Sequence, residues 1–181
     1  YQDSGEYAEH FRELIMSAIR TRVRSVRPVA VSLSGGLDSS TLVCLMAEMM
    51  PLPGVSQDEL KTYSYVFDEF PECDERRYMQ AVVDTASKKF TVRQTHVLGD
   101  EYFPTPLAEN WPVNRACPDQ DPYIMLVQAL LSRAAGNDVG LMLNGLGGDD
   151  LYAGDHYLFA DLLTEGRVKD GLELLRQIPA G

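Results

Sequence analysis

Cysteine is scarce and unpaired in this sequence: Cys44, Cys73 and Cys117 are odd in number and far apart. That pattern excludes a disulfide framework and the paired spacing of a zinc site, and it points to a reduced, cytoplasmic setting. Basic residues are also few. Sixteen Lys and Arg stand against 27 Asp and Glu, for a net charge of −11, so the surface repels polyphosphate chains unless a local cation intervenes. No basic stripe exists to hold a nucleic acid. No apolar run approaches the roughly 18 residues of a membrane span. There is no basic segment followed by an apolar one to mark a leader; the chain opens Tyr1-Gln2-Asp3, as a piece cut from something longer would. Glycine (14) and proline (10) stay below the level that marks disorder. With 181 residues, 45% of them hydrophobic, the expectation is one soluble, ordered domain over 1–181.

What is present is an alternation. Residues 3–26 carry Tyr7, Phe11, Leu14, Ile15, Ile19 and Val23 at three- to four-residue spacing, with Asp3 and Glu6 as a capping pair and Pro28 as the stop. Strands are then expected at 29–33, 61–67, 91–97 and 139–144. Helices are expected at 38–50, 74–89 and 122–135, and again near 156–164 and 168–177. Strands alternating with helices imply a parallel sheet covered on both faces, a three-layer α/β/α arrangement. The stretch 99–121, with Pro104, Pro106, Pro112 and Pro118, is too long for a simple connection. Arg115, Asp119 and Asp121 within it are weak candidates for touching a substrate. His10, His96 and His156 are scattered and read as surface or core-edge residues, and Cys44 reads as packed core.

Chemistry concentrates in two turns. Ser34-Gly35-Gly36-Leu37-Asp38-Ser39-Ser40 lies between the first strand and its helix. Two glycines let backbone approach a ligand, and hydroxyls surround the free N–H groups of the helix start, which makes an anion cradle. The plain alternative is a tight turn whose Ser and Asp cap the helix. No Gly-Lys-Ser/Thr exists for a Walker A loop, and this turn lacks the third glycine of a dinucleotide fingerprint. The second turn, Asn144-Gly145-Leu146-Gly147-Gly148-Asp149-Asp150, follows the fourth strand with three glycines and two carboxylates.

The first heptapeptide resembles the PP-loop of the ATP pyrophosphatases. Together with the second turn and with Tyr63-Ser64-Tyr65-Val66-Phe67 through Asp74-Glu75-Arg76-Arg77-Tyr78, it resembles the synthetase domain of the asparagine synthetases. The resemblance implies the adenine nucleotide alpha hydrolase-like fold, with strand order 3-2-1-4. It implies ATP as substrate and Mg²⁺ held by Asp38 and Asp149, the pair taken as catalytic. The nucleotide would be bound by Leu33, Ser34, Gly35, Gly36, Leu37, Asp38, Ser39 and Ser40, by backbone at Tyr65 and Val66, and by Asn144 and Gly145. A carboxylate 5 Å from a phosphate oxygen is repelled by about 3 kcal/mol at an effective dielectric near 20, so Asp38 beside a phosphate needs a cation between them.

The implied reaction activates a small-molecule or peptide carboxylate as an acyl-adenylate, for capture by an amine or ammonia. Two departures bear on it. Leu146 stands where the family carries glutamate, and the lysine that the family supplies farther along has no counterpart by Gly181. Nor does the chain open on the cysteine nucleophile of a glutaminase domain, so ammonia would come from a separate glutaminase or from the missing parts of the same chain. These departures favour the asparagine-synthase-related amide-forming enzymes, among which lasso-peptide cyclases share the Gly-Gly-Asp turn. Two alternatives stand beside this reading: a non-catalytic MgATP- or AMP-binding module, and a PP-loop adenylating enzyme for another substrate class.

Overall fold

The computed structural model describes residues 3–52, 55, 59–102, 123–148 and 158–177. The chain divides into two compact units, Tyr1–Gly145 and Leu146–Gly181. In the first, α1 (Ser4–Arg22), β1 (Val29–Ser32), α2 (Leu37–Met49), β2 (Leu60–Val66), α3 (Arg76–Ala86), β3 (Val92–Leu98), α4 (Ile124–Gly136) and β4 (Leu141–Leu143) follow one another. The four strands are parallel, in the order β3-β2-β1-β4. This is the α/β sheet that the alternation and the resemblance called for.

The central strand sits where it does because its residues are apolar on both sides. In β1, Val29, Ala30 and Val31 are all buried, as a central parallel strand between two helix layers requires. One face carries Val29, Val31, Leu33 and Leu60 against Ile19 of α1 and Val23 at its end, Val43 and Met46 of α2, and Met79 and Ala86 of α3. The other carries Ala30, Tyr63 and Val97 against Leu130 and Ala134 of α4. Tyr63 brings a phenol into that second layer and satisfies it by accepting from Asn137 Nδ2 at 3.0 Å, the partner a buried tyrosine needs. Leu60 is wholly buried at the start of β2. We expect Leu60→Ala to lower the unfolding free energy by about 2–5 kcal/mol in chemical denaturation, through lost burial and the cavity left behind.

Several boundaries differ from the expected ones, β4 being only Leu141–Leu143 and the third helix ending at Ala86, and two of the differences have a visible cause. The first helix ends at Arg22 and not near residue 26. Val23 closes it by donating to the Ile19 carbonyl at 3.0 Å, and Val26 beyond is fully exposed, off the apolar stripe. At the other end Asp3 does cap the helix, accepting from the Glu6 amide at 2.8 Å. The third helix starts at Arg76, not residue 74, after a 3₁₀ turn at Pro71–Cys73. Asp74 is drawn back to accept from the Phe67 amide at 3.1 Å, so it serves the end of β2 and not the helix. Of the three histidines, His10 and His96 are exposed, and His156 lies outside the described residues. Cys44 is half-buried on α2, where burial pushes its thiol above the usual range.

The second unit contains α5 (Leu158–Thr164) and α6 (Val168–Gln177). Gly166, at φ +75°, lets the chain reverse between them, and the Arg167 amide donates to the Leu162 carbonyl at 2.8 Å, a helix ending that favours glycine. Among the described residues no helix is long and apolar enough to cross a membrane.

Candidate active site

β1 lies at the centre of the sheet, and the chain runs outward from it to β2 and β3 before returning to place β4 on its other side. Open α/β sheets bind ligands at such a reversal, outside the carboxyl ends of the strands. Val29, Ala30 and Val31 pair with Leu141, Met142 and Leu143, so the turn after β1 and the turn after β4 leave the same edge side by side. The glycine of the second turn shows how close they come. A Cβ placed on Gly145 would lie 2.7 Å from the Asp38 Cβ and 3.0 Å from the Ser39 amide nitrogen. The two sequence motifs, more than a hundred residues apart, are in van der Waals contact.

The first turn is stapled from within. Ser39, buried in the first turn of α2, donates to the Gly36 carbonyl at 3.2 Å and accepts from the Ser34 amide at 3.2 Å. Its single proton is engaged there, so at 3.0 Å Ser34 Oγ is the donor of the bond between the two hydroxyls. Ser34 Oγ in turn accepts from the Gly36 amide at 3.3 Å. Gly35 sits at φ +91°, and a Cβ on it would meet the Tyr78 Cβ at 2.7 Å and the Met79 amide nitrogen at 3.1 Å. Only glycine meets both demands, positive φ and contact with the start of α3. The N-cap of α2 is Gly36, which has no side chain to cap the helix, so the first-turn amides point out of the loop as donors for an anion. Asp38 is half-buried in that first turn. Ser40 is less explained: its hydroxyl is buried with no hydrogen-bond partner. Leu33 is buried beneath the loop and Leu37 is 87% exposed above it.

Next to the loop, the end of β2 is held by a charged brace. The Arg76 guanidinium reaches Asp68 at 2.5 Å and Asp74 at 3.3 Å. Asp100 accepts from the Asp68 and Glu69 amides at 2.7 and 3.0 Å. Desolvation pushes the Asp100 carboxyl upward, but these amides and the Arg76 charge outweigh it and hold it below the usual carboxylate range. His96 is shifted downward, by desolvation first and then by Arg76, with Asp74 opposing. The residues expected at the adenine edge sit here. Tyr65 is half-buried and Val66 buried, and the Val66 carbonyl accepts from the Gly99 amide at 2.8 Å. Tyr65, Phe67, Cys73, Tyr123, Leu126 and Val127 surround a cavity of about 280 Å³.

The structure thus brings Leu33 to Ser40 together with Gly145 at one point, with Asn144 just before it and exposed. Tyr65 and Val66 lie on the adjoining strand. Asp149, expected to share a metal with Asp38, lies outside the described residues, as do Cys117 and the loop residues Arg115, Asp119 and Asp121. Among the described residues no three His, Cys, Asp or Glu side chains converge as a metal site. Sequence reasoning missed the contact of the loop with Tyr78, on whose ring Arg77 rests. The signal it had was two consecutive arginines in a chain of net charge −11.

A parallel sheet with this reversal and a glycine cradle at its switch point defines a nucleotide-binding class of α/β domain. The asparagine synthase family matches residues 10–181. The chain belongs to that family. It is 31% identical over 157 residues to a putative asparagine synthetase [glutamine-hydrolyzing] 2 of Methanocaldococcus jannaschii, covering 84% of this chain and 27% of that protein. It is 27% identical over 169 residues to Amidase chyE of Penicillium rubens, covering 88% of this chain and 24% of that one. The chain therefore spans about a quarter of the length of these curated relatives. A solved structure, protein Rv1636 from Mycobacterium tuberculosis H37Rv, shares 15% identity at a TM-score of 0.39, over 67% of this chain and 72% of that one. That score is too low to bear on the fold, which rests on the sheet itself.

Proposed function

We propose that this chain is the nucleotide-activating part of an ATP-dependent amide-forming enzyme, which converts a substrate carboxylate to an acyl-adenylate for capture by an amine or ammonia. The observation that carries the reading is the contact of Gly145 with Asp38 and Ser39, which sets the start of the second family turn against the first. The first-turn amides of α2 grip the departing pyrophosphate, and the backbone at Tyr65, Val66, Asn144 and Gly145 meets the nucleoside. A carboxylate oxygen of the substrate attacks the α-phosphorus and the bond to pyrophosphate breaks. An amine then attacks the acyl carbon, AMP leaves, and the amine gives up a proton. Positioning and charge stabilisation supply most of the rate.

The donor chemistry fits a hard cation: Asp38 offers oxygen ligands at the mouth of an anion cradle, the setting in which Mg²⁺ accompanies a polyphosphate. In this reading Asp38 and Asp149 hold Mg²⁺, which when bound neutralises charge on the phosphates. Labelled pyrophosphate exchanging into ATP in the presence of a panel of carboxylates tests the proposal. Carboxylate-dependent exchange is expected, and none across a broad panel would overturn it.

One observation favours a second reading, a module that binds the nucleotide without turning it over. Leu146, at the family's glutamate position, is 92% exposed, and leucine can neither move a proton nor hold a cation. Tight MgATP binding with no adenylate formed would select this reading. The same measurement separates both from an adenylating enzyme for another substrate class, which would exchange only with that class.

A further inference from the structure

We infer that Arg77, carried on the ring of Tyr78, is the cation through which this chain engages the phosphate tail of the nucleotide; the inference rests on the loop being a nucleotide cradle. The loop itself has no Lys or Arg, and Asp38 adds a negative charge where a tail of negative phosphates would lie. A polyphosphate keeps net negative charge even with Mg²⁺ bound, so a cationic side chain at that edge would attract it. Arg77 is placed to supply that charge. Its guanidinium lies 4.6 Å from the centroid of the Tyr78 ring and donates from Nη2 to Tyr78 Oη at 2.6 Å. Tyr78 is the residue whose Cβ packs against Gly35 in the cradle.

A positive side chain in the first turn of α3 opposes the helix dipole, which favours carboxylates there. Arg76 escapes that disadvantage by pairing with Asp68 and Asp74. Arg77 has no carboxylate partner among the described residues. The ring contact engages one N–H and leaves other donors of the guanidinium for phosphate oxygens. The ring fixes the side chain in advance, so less freedom is lost when an anion arrives.

Calorimetric titration of the full chain with ATP, inorganic pyrophosphate and AMP, each with magnesium, tests this. Arg77→Gln is expected to weaken ATP and pyrophosphate on the order of tenfold or more while AMP changes little, because a charge-assisted bond to the tail is lost. The deficit should shrink as ionic strength rises, and Arg77→Lys should recover part of it. The thermal midpoint without ligand should stay near that of the parent, since the side chain is exposed. Equal weakening of all three ligands, or none, would overturn the role of Arg77. If the parent binds all three and Asp38→Asn disturbs ATP while Arg77→Gln does not, only Arg77 falls. If the parent binds none of them, the cradle reading falls and Arg77 with it.

Discussion

An Asp38→Asn variant is expected to lose roughly 10²–10³-fold of carboxylate-dependent ATP–pyrophosphate exchange, the scale seen when one preorganised electrostatic group is removed from an active site. The substitution is nearly isosteric, which matters because Asp38 is wedged against Gly145 and any larger change would move both turns. What it removes is charge. If Asp38 shares a cation with the phosphates, asparagine leaves that cation with a neutral ligand and the tail less well neutralised. Folding should be affected little. A carboxylate in the first turn of α2 gains about 0.3–1 kcal/mol from the helix dipole, so the thermal midpoint should drop by no more than about 2–4 °C. Undiminished exchange in Asp38→Asn would remove the cation from the mechanism, and a large loss of stability would make Asp38 a structural cap.

The order of events along the chain was legible because it is written in local patterns. Val29 to Val31 form a run too apolar for an exposed strand, and the glycine-hydroxyl turn that follows them announces a helix start facing a ligand. Order 3-2-1-4 came only through the family resemblance, since nothing local in a strand says which neighbour it will pair with. The structure supplies that in the register of β1 with β4.

The parts that stayed hidden depend on which partner each side chain meets in the folded chain. Ser39 looked like a donor waiting for a phosphate, yet its proton is engaged by the Gly36 carbonyl three residues back. Asp74 had the position of a helix-start carboxylate but is drawn to the Phe67 amide. Tyr78 had no reading beyond the family segment it sits in, and its contact with Gly35 joins elements whose proximity only the folded sheet creates. In each case the partner could not be read from the sequence.

Gly145→Ala should be strongly disruptive for a single-methyl change. The added carbon would stand 2.7 Å from the Asp38 Cβ, 3.0 Å from the Ser39 amide nitrogen and 3.1 Å from the Asp38 carbonyl carbon. Two of those three neighbours are backbone, which cannot rotate aside as a side-chain tip would, so the turn after β4 or the first turn of α2 must shift. Overpacking of this kind costs about 1–3 kcal/mol, measurable as a lowered midpoint in denaturant. The same shift drags the Ser39 staple and with it the amides of the cradle, so nucleotide affinity should fall together with stability. Gly147→Ala is the control. Gly147 has φ +87° but nothing within 4 Å of an added Cβ, so alanine there meets only the backbone penalty of about 1–2 kcal/mol and leaves the packing between the two turns alone. Affinity for MgATP should then separate the two variants even where their stabilities are similar. If Gly145→Ala binds as tightly as Gly147→Ala, the closeness of the two turns is not what shapes the nucleotide site.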